Sequence, residues 1–150
     1  MTLYETLVVL HVIAAVAGLG ASFAMPVVYK FAKTASQAQF VLHLNKKIET
    51  LPKIGSLSLL ATGLLLGALN TALFNEIWYI SSLVIYALSQ IIVIGIIPKK
   101  QKEMEDILAS HEGEELPESF RTVNKQLDPY VYLLHSLAFV LIFLMVVKPF

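Results

Sequence analysis

Charged and apolar positions alternate along this chain in long blocks rather than with the short period of a soluble helix or strand. Four windows hold no Asp, Glu, Lys or Arg: 6–29, 54–75, 77–98 and 129–147. Each is as long as the roughly 17–25 apolar residues that a bilayer-crossing helix needs. The pattern predicts an all-α polytopic membrane four-helix bundle, a single transmembrane domain over 1–150. Helical cytoplasmic connecting segments are expected within 30–53 and 99–128. Within the first connection, Ala35–Ile48 reads as helix, with apolar residues at 38, 40, 41, 42, 44 and 48 among Gln and Lys. Three courses are open to it: lying on the membrane surface, prolonging span one past a kink at Pro26, or running into span two before Pro52. In the second connection, Lys99–His111 reads as helix and Glu112–Asp128 as an acidic linker containing Pro117. The spacing between spans two and three reduces to a turn at Asn75-Glu76, which makes those helices antiparallel neighbours.

Composition agrees: 57% of residues are hydrophobic, 15% are charged, and mean hydropathy is +0.71. A soluble domain carries about 25% charged residues. The balance excludes a disordered chain, a nucleic-acid binder and an ordinary soluble enzyme, and it makes the lipid bilayer the first partner. Formal charge sums to zero, but ten of the eleven basic residues fall in the two connections. Because Lys and Arg near span ends stay in the cytoplasm, both termini are expected to be extracytoplasmic in a bacterial plasma (inner) membrane. The first apolar stretch lacks a basic leader and a convincing cleavage site, so it is expected to be a retained span. Without cysteine there is no disulfide framework, thiolate metal site or iron–sulfur cluster. No phosphate-binding glycine loop, hydrolase elbow, zinc-protease motif or dinucleotide fingerprint occurs.

Chemistry must then come from polar residues inside the spans, which are expensive in hydrocarbon and face the bundle interior. His11 in span one and His135 in span four are the leading candidates for ligating haem iron or another metal, or for relaying protons. The competing reading makes them hydrogen-bonded packing residues. At 1.5 Å per residue, His11 lies about 12 Å below the outer boundary and His135 about 9 Å from the inner one. In a core of about 30 Å their depths differ by roughly 9 Å, a poor fit to two axial ligands of one iron. His11 and Tyr86 share the outer half. His135 and Gln90 share the inner half, with His43 just beyond, which leaves a His43–His135 site open. His111, in the acidic loop, reads as solvated. Gly63 and Gly67 form a small-xxx-small pair suited to close helix packing.

Several stretches resemble a family of small bacterial membrane proteins catalogued as an integral-membrane domain of unknown function. They are Leu10-His11-Val12-Ile13-Ala14-Ala15 with Gly18-Leu19-Gly20 and Pro26, Thr50-Leu51-Pro52 leading to Thr62-Gly63, and Met145-Val146-Val147-Lys148-Pro149. The chain is more loosely similar to the copper-resistance protein D domain and to the four-helix membrane protoporphyrinogen oxidase family, which share a histidine early in span one. The oxidase resemblance implies haem binding, with His11 matching the first-span histidine. That family also uses an intramembrane lysine, and no span here contains one. Copper handling implies more Met, His or Cys than Met25 and Met145 provide. Three functions follow as expectations: binding of haem, a porphyrin or a metal for redox, sensing or tetrapyrrole handling; a non-enzymatic accessory or assembly subunit, as a homodimer or within a larger membrane complex; and a small-solute transporter.

Overall fold

The computed structural model describes residues 1–149. Six helices follow in chain order: α1 (Leu3–Tyr29), α2 (Ala35–Ile48), α3 (Thr50–Leu69), α4 (Ile77–Gln90), α5 (Ile97–Ala109) and α6 (Glu118–Val147). They combine into four rods apolar and long enough to cross a membrane, because α2–α3 and α4–α5 each run on as one. The rods contain 27, 35, 33 and 30 residues, or about 40–52 Å at the α-helical rise. A hydrocarbon core of about 30 Å therefore leaves 10–20 Å of bundle projecting at the lysine-rich end.

Prolines mark the joints. Pro52 has no N–H for the Ile48 carbonyl, and the α2–α3 rod is interrupted at Glu49, whose own N–H bonds Asn45 O at 2.8 Å. Pro98 likewise offers nothing to Ile94, and the preceding turn widens into a π-helix over Ile91–Ile96. Pro26 and Pro129 sit inside α1 and α6 without ending them.

Ala35–Ile48 is helical and runs into span two. It does not lie on the membrane surface: Ala35, Ala38 and Leu42 are buried with Met104 and Leu108 of α5 and Phe120, Val123 and Leu127 of α6. The expectation of an acidic linker over Glu112–Asp128 is corrected in the same place. Only the residues before Glu118 are loop; Phe120, Val123 and Leu127 recur at 3 and 4 residues and give α6 an apolar first face. Ala35 N–H donates to Glu114 O at 3.0 Å, and the Ser36 hydroxyl donates to Glu114 Oε2 at 2.8 Å, tying the two connections together. The turn between spans two and three is also longer than Asn75-Glu76, since α3 ends at Leu69 and a 3₁₀ turn fills Thr71–Asn75.

Within the spans, α1 packs most extensively on α3, and α4 on α6. The α1–α3 crossing is a backbone contact. A Cβ on Gly55 would lie 2.6 Å from Gly18 Cα and 2.9 Å from Ala14 O. The close approach thus belongs to Gly18 and Gly55. The Gly63–Gly67 pair makes room for side chains instead: His11 over Gly63, Phe74 and Tyr79 over Gly67.

Candidate functional site

The α1–α3 crossing sets the position of His11. The helices are antiparallel, so seven residues from Gly18 back to His11 correspond to seven from Gly55 forward to Thr62. There His11 Nδ1 lies 2.7 Å from Thr62 Oγ1. The Thr62 hydroxyl is also 2.6 Å from Ser58 O, one turn back in its own helix. Two oxygens that close need a proton between them, and the carbonyl has none to give, so Thr62 donates to Ser58. Its oxygen then accepts from His11, which places the imidazole proton on Nδ1 and leaves a lone pair on Nε2. The Leu59 carbonyl also faces the ring, Nε2 makes no hydrogen bond among the described residues, and the residue is half-buried.

His135 has a different setting. Its ring stacks on Phe23 of α1 with centroids 4.3 Å apart, and it lies against the Ser22 carbonyl. That carbonyl is the one Pro26 deprives of its helical N–H, so His135 sits where α1 has a spare acceptor. Phe23 is twelve residues beyond His11, roughly 18 Å along α1. The two imidazoles therefore cannot reach one iron.

The remaining candidates also have separate neighbours. Tyr86 of α4 donates to Ser56 O at 2.8 Å and accepts from the Ser56 hydroxyl at 2.7 Å, so it joins α3 rather than His11. Gln90 Nε2 is 3.3 Å from the adjacent Ser89 hydroxyl. His43 is exposed on α2 and makes no side-chain hydrogen bond among the described residues. His111 Nε2 is 2.8 Å from Glu115 O within its own loop. Among the described residues, no group of three or more His, Cys, Asp or Glu side chains is placed to hold a metal ion. Two open clefts, of about 480 and 500 Å³, lie at the charged end and not among the spans.

Sequence reasoning passed over three elements of this arrangement. Tyr79 donates to Gly63 O at 3.0 Å, beneath the turn that carries His11's partner. Thr62, quoted above only within a motif, fixes the imidazole tautomer. Asn45 is fully buried with no hydrogen-bond partner. Helical spacing could have flagged Thr62, one turn from Ser58; nothing in the sequence pointed to the other two.

Four apolar rods with polar side chains latched between them, and a helical core at the lysine-rich end, define an all-α, four-span integral membrane protein. Residues 5–149 match the model of the family described as "Predicted integral membrane protein (DUF2269)", and the chain belongs to that family. No curated protein matches it, and no solved structure does.

Proposed function

We propose that this protein, seated in a bacterial inner membrane with both termini extracytoplasmic, presents His11 Nε2 to haem iron or another metal held against the α1–α3 face. The lysine-rich connections support that orientation. One observation carries the ligand reading: Thr62 fixes the proton on Nδ1, which is how a histidine ligand is ordinarily oriented by a second residue. His11 Nε2 would be the one donor this chain supplies, and any further ligand would come from a second copy or another subunit. When bound, such a group would supply electron transfer, sensing or tetrapyrrole handling. The chain's part is to hold the imidazole neutral and aimed out of the bundle. His135, Tyr86 and Gln90 have other neighbours, His43 is exposed, and the proposal does not need them.

The test is an oxidised and reduced visible spectrum of protein purified in mild detergent from cells with intact haem supply, alongside metal analysis. A Soret band lost in His11→Ala, shifted in Thr62→Val and kept in His135→Ala is the expected result. A flat spectrum from folded protein without bound metal overturns it.

A second reading, an accessory subunit or homodimer with structural histidines, takes the same His11 bond as packing, alongside two others. His11, Tyr79 and Tyr86 each already bond a neighbouring helix. Co-purification with a larger membrane complex, unchanged by His11→Ala, would support it.

A further inference from the structure

At the lysine-rich end, where α1 stops and α2 meets α3, the bundle encloses polar atoms that bond nothing. Asn45 is 0% exposed, and both its Oδ1 and Nδ2 lack a hydrogen-bond partner. The hydroxyl of Tyr29 is also buried and unbonded. Asn45 and Gln101 face that hydroxyl closely enough to act on it but outside hydrogen-bond geometry, with Glu49 and Glu105 farther out. Counted from the terminus end of each rod, Tyr29, Asn45 and Gln101 all sit about 36–39 Å down. That is just past a hydrocarbon core of about 30 Å. Three separate helices therefore bring amide and phenol groups to one level, inside the protein and at the edge of the membrane.

Native interiors rarely leave three adjacent polar atoms unbonded, and the inventory of donors and acceptors narrows what belongs there. Asn45 offers two N–H donors and a carbonyl oxygen, and Tyr29 can donate or accept. A metal cation would suit the oxygens but be repelled by the amide N–H groups. An anion would suit the N–H groups but face the Asn45 oxygen. Turning the amide over exchanges the positions and changes nothing, because both ends are unbonded. Glu49 and Glu105 do not fill the gap, since Lys53 bonds Glu49 at 2.7 Å and Lys46 bonds Glu105 at 3.3 Å.

We infer that Tyr29, Asn45 and Gln101 form a hydration site holding one or two ordered waters between α1, α2 and α5. Water both donates to the amide oxygen and accepts from the amide nitrogen. Its usual two to four bonds match the partners available. The site pins the exit of span one to the two rods that continue past the membrane surface. It is independent of any ligand at His11.

X-ray radiolytic footprinting of the full chain in lipid nanodiscs reads this directly, because a bound water activated in place oxidises the side chain it touches. Tyr29, half-buried with its hydroxyl enclosed, is expected to be oxidised at least about threefold faster than Phe120 in the dry core, given a resident water. In Asn45→Leu and in Gln101→Met the Tyr29 rate is expected to fall toward that of Phe120, while exposed Phe40 stays unchanged. Oxidation of wild-type Tyr29 no faster than Phe120 overturns the inference without requiring any variant to fold. So does a rate that persists unchanged in both folded variants.

Discussion

The crossing of α1 and α3 makes a graded prediction from three glycines that look alike in sequence. Adding a methyl group at Gly55 puts carbon 2.6 Å from Gly18 Cα and 2.9 Å from Ala14 O. Carbon pairs settle at about 3.5–4.0 Å, so the helices must separate by about 1 Å, and backbone atoms cannot rotate away. At Gly18 the same methyl meets Gly55 Cα at 3.2 Å, a few tenths of an ångström too close. At Gly20 it meets nothing within 4 Å. Overpacking of the first kind costs about 1–3 kcal/mol. Helix propensity largely cancels, because the unfolded reference in a membrane or detergent keeps its helices. Gly55→Ala should therefore lower the folded-to-unfolded ratio by roughly 5–160-fold, Gly18→Ala by a small factor, and Gly20→Ala not at all. Reversible unfolding in mixed SDS micelles, followed by Trp78 fluorescence, measures all three. Equal losses at the three sites, or a neutral Gly55→Ala, would refute the argument that backbone contact fixes this crossing.

Three further substitutions separate the forces acting in different parts of the bundle. Tyr79→Phe removes the donor to Gly63 O and should cost about 0.6 kcal/mol, at most about 1.7, in the same unfolding assay. Leu108→Ala empties part of the core at the charged end, where Leu108 is 2% exposed, and should cost about 2–5 kcal/mol. Phe143→Ala, on a side chain 57% exposed toward lipid, should stay within about 0.5 kcal/mol. Comparable losses for Leu108→Ala and Phe143→Ala would show that burial at the charged end is not the larger source of stability.

The four spans were legible because lipid imposes a rule on single residues: charge is excluded over a fixed length. Helix ends at Tyr29, Ile77 and Val147 fall at or beside the edges of the charge-free windows. Asn70–Glu76 was misjudged because a 3₁₀ turn of apolar residues carries no charge either. The first turns of α6 were hidden by a different conflict: Pro117 and dense glutamate signal a loop, while Phe120, Val123 and Leu127 signal a helix face. The apolar spacing governs there because α2 and α5 supply a surface to cover. At the candidate site, depth could be estimated from the sequence but direction around the helix could not. His11 turns to Thr62 and Tyr86 to Ser56, partners six residues, or about 9 Å, apart along α3. The glycine contact that sets the α1–α3 register involves Gly18 and Gly55, far apart in sequence and unremarkable in either helix alone.

The pairing of α1 with α3, and of α4 with α6, has a consequence for how the chain is made. Every contact of the α1–α3 crossing, from Gly18–Gly55 to His11–Thr62, lies within the first 69 residues. This hairpin can close in the bilayer before the third span has left the ribosome. The core at the charged end cannot, because it needs Phe120, Val123 and Leu127, translated some fifty residues later. At about 5–20 residues per second that is an interval of several seconds. During it, the apolar faces of α2 and then α5 stand in water uncovered. The arrival of α6 ends this exposure, so the fourth span is the one that seals the bundle.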